Sequence, residues 1–155
     1  MTASTTKHVP EGYHSITPYL YIRDAARAIE FYQQVFGAKE LFRMDAPGGK
    51  IGHAEIIIGN SHIMLADECT EADAQSPQTI GGSPVGLLLY IEDVDAVAES
   101  AVAAGAKLLE PLEDKFYGDR MGKFEDPFGH IWAIATHMED VSPEELQKRA
   151  AAMYG

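Results

Sequence analysis

The chain has 155 residues, enough for one compact domain or two small joined modules, and its 46% apolar content is ordinary for a protein that buries a core. Lys and Arg number 12 against 24 Asp and Glu, a formal charge of −12, and a field of that sign repels phosphate backbones and anionic lipid surfaces. Composition therefore points away from nucleic acid and membranes and toward a neutral or cationic small ligand, while the single Cys69 excludes an intrachain disulfide framework and a thiolate zinc site.

Residues 1–12 are polar, contain Pro10 and lack an apolar leader core, and no later apolar run is long enough to cross a bilayer. They read as a disordered tail on a cytoplasmic protein. From Tyr13 to Ile22 the residues alternate, with Ile16, Pro18, Leu20 and Ile22 opposite Ser15, Thr17, Tyr19 and Tyr21, which predicts a half-buried strand. Asp24 then caps a helix whose Ala25, Ala28, Ile29, Tyr32 and Phe36 recur at helical spacing, and Gly37 stops it.

Lys39 to Met44 is a second strand and Pro47-Gly48-Gly49 a turn. His53 to Ile58 alternates again, with Ala54, Ile56 and Ile58 opposite His53, Glu55 and Ile57. Gly59-Asn60 is a two-residue hairpin signal, and His62 to Asp67 returns as the fourth strand. That tight turn sets His62 across from Ile57 and Met64 across from Glu55, so Glu55 and His62 share a face as diagonal neighbours, about 7–8 Å apart at the backbone.

Residues 13–67 thus form a β-α-β-β-β module, and residues 68–84, polar and turn-rich, read as a linker. Residues 85–137 repeat the order. Val85 to Ile91 is a strand, Asp93 caps a helix carrying Val94, Val97, Ala98 and Ala101 on one face, and Gly105 closes it. Strands follow at Lys107 to Pro111, from Tyr117-Gly118-Asp119-Arg120 to Glu125, and at Ile131 to Thr136 after the turn Asp126-Pro127-Phe128-Gly129-His130. Within residues 138–155, Ser142-Pro143-Glu144-Glu145 opens a short helix with a capping box and Pro at its first position. The near-identity of Tyr21-Ile22-Arg23-Asp24 with Tyr90-Ile91-Glu92-Asp93, and of Gly37-Ala38-Lys39 with Gly105-Ala106-Lys107, marks an internal duplication.

Two such modules, the Asp24-helix-Phe31-Tyr32 to Phe36-Gly37-Ala38 start and the Asp126-Pro127-Phe128-Gly129-His130 turn resemble the vicinal oxygen chelate superfamily of glyoxalase I, bleomycin-resistance proteins, fosfomycin-resistance transferases and extradiol dioxygenases. The stretches around Tyr117-Gly118-Asp119-Arg120, Phe124 to His130 and Ile131 to His137 look closest to its PhnB-like branch. The resemblance implies an α+β fold in which each module's mixed sheet curls around a cavity and carries its helix on the outer face. It also implies a homodimer.

Enzymes of that superfamily place metal ligands on the cavity face of the first and last strands of each module. Those positions fall here on Thr17, Met64, Gly86 and Ala133, none of which offers the imidazole or carboxylate that Zn, Ni or Fe needs. No cofactor is therefore expected at the customary site, and the readings that depend on such a cation lose support. His53, Glu55 and His62 project toward the same predicted cavity, either as a displaced two-His-one-carboxylate site or as a hydrogen-bonded cluster without metal, in which Glu55 and His62 are the acid-base candidates. Thr17, Tyr19, Tyr21, Met64, Leu88 and Tyr90 join that face as an aromatic lining with hydroxyl handles.

Arg120 is a candidate clamp for a ligand carboxylate, or a partner for Asp119, Glu125 or another acid; His130 is expected to bond locally, and Trp132 alternates onto the helix-packed side as core. Neither His8, His14 nor His137 has telling spacing, and there is no Gly-x-Ser-x-Gly elbow or Walker loop. The expectation is a protein that binds an aromatic or cationic small molecule without the usual divalent metal. The alternatives are a glyoxalase-like lyase or isomerase using His53, Glu55 and His62, with or without a divalent ion, and a non-catalytic scaffold.

Overall fold

A computed structural model describes residues 6–155, so residues 1–5 of the tail expected over 1–12 lie outside the described residues. The chain divides into two compact units between Ser76 and Pro77. Among the described residues no helix is long and apolar enough to cross a membrane.

The first unit runs β1 (Tyr19–Ile22), α1 (Ala25–Phe36), β2 (Lys39–Ala46), β3 (Lys50–Ile58) and β4 (Ser61–Asp67). Its sheet has the order β1-β4-β3-β2, with β1 parallel to β4 and the other pairs antiparallel. Helix α1 starts where the sequence places it, because the Asp24 carboxylate accepts from the Arg27 amide at 3.3 Å, and it ends at Gly37, which takes the left-handed φ of 69° that L side chains resist. Asp67, at the end of β4, locks helix and sheet together by accepting from the amides of Ala25 at 3.0 Å and Ile51 at 2.7 Å.

Alternation divides the sheet into two unlike faces. Leu20, Ile22, Ala54, Ile56, Ile58, Ile63 and Leu65 are buried together with Ala25, Ala28, Ile29, Tyr32 and Val35 of the helix. Tyr19, Tyr21, His53, Glu55, His62 and Met64 belong to the other face, and the hairpin pairs Ile57 with His62 and Glu55 with Met64, as the Gly59-Asn60 turn requires. The first strand is shorter than alternation predicts: residues 13–18 are not strand, and Pro18, which has no N–H, contributes only its carbonyl to the Met64 amide at 3.0 Å.

The expected linker is partly structured. Cys69 and Ala74 form an isolated bridge around a single 3-10 turn at Thr70–Ala72, the Ser76 amide donates to Glu68, and α2 (Pro77–Ile80) opens the second unit.

That unit continues with β5 (Gly86–Tyr90), α3 (Val94–Ala103), β6 (Lys107–Asp114), β7 (Asp119–Glu125), β8 (Ile131–His137) and α4 (Pro143–Tyr154). Its sheet order, β5-β8-β7-β6, reproduces that of the first unit, so the structure consists of two βαβββ modules, each with an open mixed sheet. Pro111 lies in the edge strand β6 beside an irregularity between Glu110 and Glu113, where the missing amide proton costs no ladder bond. In α4 the Ser142 hydroxyl accepts from the Glu145 amide at 3.2 Å, and Arg149 ties the helix back to the Phe116 carbonyl at 2.9 Å.

The Asp126 to His130 turn is a buried hydrogen-bond hub. The Asp126 carboxylate accepts from the amides of Phe128 and His130 and from Trp132 Nε1, at 2.9, 3.0 and 3.0 Å. His130 therefore bonds locally through its backbone, and Trp132 is core.

Candidate functional site

In the first module, β1 brings Tyr19 and Tyr21 beside the β3 side chains of the open face. The Tyr19 hydroxyl lies 2.8 Å from His53 Nδ1, and His53 Nε2 lies 3.1 Å from Glu55 Oε2. A carboxylate can only accept, so Nε2 donates to Glu55; with a neutral imidazole Nδ1 is then the acceptor for the phenol, and the three groups form one directed chain. Burial, reinforced by the neighbouring Tyr21 phenol, pushes the Tyr19 pKa up, which keeps it a neutral donor.

Around this chain the Tyr19 ring sits 5.0 Å from that of Tyr21 and 5.5 Å from that of His53, and Phe42 stands 5.8 Å from His53 on the far side. Glu55 is 9% exposed, whereas Tyr19 and Tyr21 are each 37% exposed. The buried acid thus ends inside and the phenols end at the surface. Phe42 and Met44, paired with Glu55 and His53, extend the apolar border. Neither residue announces itself by type or spacing in the sequence, and it is the pairing of β2 with β3 that places both here.

His62 shares the face but not the chain. Tyr13 stacks on it with centroids 3.8 Å apart at 22°, Gly12 closes over its Nε2, and its Nδ1 is buried without a hydrogen-bond partner. His53 and Glu55 are therefore brought together and His62 is held apart by the segment before β1. Among the described residues no group of three or more His, Cys, Asp or Glu side chains is arranged to hold a metal ion. Nor do the landmark positions fit one: Met64 and Ala133 pair into the open faces, at Tyr19 and Leu88, and offer a thioether and a methyl, while Thr17 and Gly86 supply a hydroxyl and a hydrogen.

The second module carries its own polar chain. Leu88 and Tyr90 lie on the exposed face of β5, and the Tyr90 hydroxyl donates to Asp119 Oδ2 at 2.8 Å. His137 joins Asp119 Oδ1 through Nδ1 and Asp140 Oδ1 through Nε2, both at 2.7 Å. Two carboxylates on two ring nitrogens require two N–H donors, which only the imidazolium has, and these bonds raise the His137 pKa. Spacing in sequence hid this histidine; counting back from the turn, Glu125 opposite Ile131 leads to Asp119 opposite His137.

Arg120 does not reach the open face. It pairs with Thr136 on the helix side of β7, donating to both oxygens of Asp95 at 3.0 and 2.9 Å and to Asp114 at 3.1 Å. As a clamp for a ligand carboxylate it is already neutralised by two acids, the second of the roles open to it from sequence.

The His137 arrangement has a pH consequence. Its folded pKa lies above the unfolded value near 6.5, so its contribution to stability is complete below that pH and is lost as pH rises through the folded pKa. The melting-temperature difference between wild type and His137→Gln should accordingly shrink as the pH is taken from 5.5 to about 9; a difference constant with pH would refute the assignment.

Two open-faced βαβββ modules with aromatic and carboxylate groups on one sheet face define a glyoxalase-like fold. The chain belongs to the Glyoxalase/Bleomycin resistance protein/Dioxygenase superfamily, whose family model matches residues 12–134. It is 39% identical over 136 residues to the uncharacterized protein Mb0911c of Mycobacterium bovis, covering 86% of this chain and 90% of that one. Among solved structures, TioX from Micromonospora sp. ML1 superposes with a TM-score of 0.62 at 28% identity, covering 81% of this chain and 99% of that one. The PhnB protein from Bacillus cereus, at 21% identity and a TM-score of 0.61 over 79% of this chain and 99% of that one, shares the fold.

Proposed function

We propose that the protein binds a small aromatic cation on the open face of the first module, without a divalent metal at the family's customary positions. The observation that carries this reading is the buried Glu55 carboxylate at the foot of a cluster of Tyr19, Tyr21, Phe42 and His53 rings. Exposed aromatic faces attract a desolvated cation by about 0.5–2 kcal/mol each, and a buried anion beneath them supplies the opposite charge. The net charge of −12 draws cations toward the surface and anions away. The donor chemistry at Thr17, Met64, Gly86 and Ala133 supports the metal-independent half of the proposal. A homodimer, expected from the family resemblance, belongs to the same proposal.

Calorimetric titration with 4-acetyl-N-methylpyridinium, a planar cation, tests it. Wild type should bind it saturably, Glu55→Gln about ten-fold more weakly, in line with about 1.5 kcal/mol for a contact to a charged group, and the uncharged analogue 4-methylacetophenone should also bind more weakly. Absence of saturable heat with wild type, or equal affinity for the charged and uncharged probes, would remove the reading.

A further inference from the structure

We infer that Tyr19, backed by His53 and Glu55, transfers protons to and from the ligand bound on this face, so that the site is a metal-independent keto–enol isomerisation centre for carbonyl compounds attached to a cationic ring. The inference rests on the binding reading above and adds a reaction to it. Its ground is the direction of the hydrogen-bond chain. A purely structural His53–Glu55 pair would be complete in itself, yet the chain continues through His53 Nδ1 to a hydroxyl 2.8 Å away on a residue 37% exposed, at the surface where a ligand would lie. Flanking contacts with Tyr19 and Phe42 restrict the imidazole, and the buried carboxylate fixes which nitrogen carries the proton. Tyr19 is the catalytic residue; His53 and Glu55 act through it and are positioning residues.

The step balances without a co-reactant. A C–H bond adjacent to the ligand carbonyl breaks and its proton passes to the Tyr19 oxygen, while the phenol's own proton passes to His53 Nδ1. The electron pair left on carbon delocalises onto the carbonyl oxygen and into the cationic ring, which serves as the electron sink. Glu55, remaining ionised, balances the imidazolium. Reversal delivers a proton to the enolate oxygen or to carbon, and nothing is oxidised or reduced. His62, closed under Tyr13, takes no part.

The test follows hydrogen-for-deuterium exchange at the acetyl methyl of 4-acetyl-N-methylpyridinium in D2O by proton NMR, alongside calorimetric binding of the same compound. With each protein saturated by the probe, as calorimetry fixes, wild type should accelerate exchange at least ~100-fold over Tyr19→Phe, the lower end of general acid–base contributions. Histidine nitrogen-15 shifts should show His53 as the Nε2–H tautomer in wild type and lose that preference in Glu55→Gln, with slower exchange even when the variant is saturated with probe. Binding with equal exchange rates in wild type and Tyr19→Phe overturns the catalytic inference and leaves the binding reading standing; no binding by wild type overturns both. If Tyr19→Phe does not fold, the wild-type shifts decide, because His53 found as the Nδ1–H tautomer breaks the chain.

Discussion

Replacing Asp126 with Ala should destabilise the second module by about 3–5 kcal/mol, the range for removing one partner of a buried, multiply bonded charge. The carboxylate is 3% exposed and receives three N–H groups: the Phe128 and His130 amides and the Trp132 indole. All three donors lose this acceptor, and the turn that launches β8 loses an internal brace. Trp132→Phe, which removes one donor and keeps most of the packing, should cost only about 1–2 kcal/mol. Urea unfolding would measure both; an Asp126→Ala variant within about 0.5 kcal/mol of wild type would show that the hub contributes no net stability.

The second large effect belongs to Gly118. Its φ of 100° lies where L side chains are strained, and a Cβ there would meet the Glu139 carbonyl oxygen well inside van der Waals contact, with Val141 also crowding it. The close approach is functional for the fold, since the Gly118 carbonyl accepts from both Met138 and Glu139 amides, at 2.8 and 3.1 Å, and so anchors the chain leaving β8. Gly118→Ala combines backbone strain with a backbone clash and should cost about 2–4 kcal/mol. It should also displace Asp119 from His137, so the pH dependence of the melting temperature should flatten toward that of His137→Gln. Gly48→Ala, where φ is also positive but nothing stands within 4 Å, isolates the strain alone and should cost less. Equal losses in the two variants would show that contact with Glu139 does not matter.

Gly118-Asp119-Arg120 thus has a physical reading residue by residue. Gly118 permits the close approach, Asp119 bridges Tyr90 and His137, and Arg120 reaches across to α3. From the sequence, pairing of Arg120 with an acid was open to inference and strand counting sets Asp119 opposite His137, but the particular partners were not legible. Arg120 had one letter of charge and many acids within reach, and only the pairing of β7 with β8 decides that it leaves the sheet toward Asp95.

The caps at Asp24 and Asp93, the stop at Gly37, the hairpin at Gly59-Asn60 and the partition of β3 into Ala54, Ile56 and Ile58 against His53 and Glu55 were all determined by the sequence itself. Each depends on local backbone chemistry or on a period of two or 3.6 residues, which need no distant partner. What tertiary structure alone decided was which side chains complete a hydrogen bond: Tyr19 with His53 rather than Glu55 with His62, Tyr13 over His62, and three donors converging on Asp126. Periodicity determines the side of the sheet from which a side chain departs. Its partner depends on strand twist, diagonal offsets and rotamers, and those follow from how the parallel β1–β4 pair and its neighbours pack.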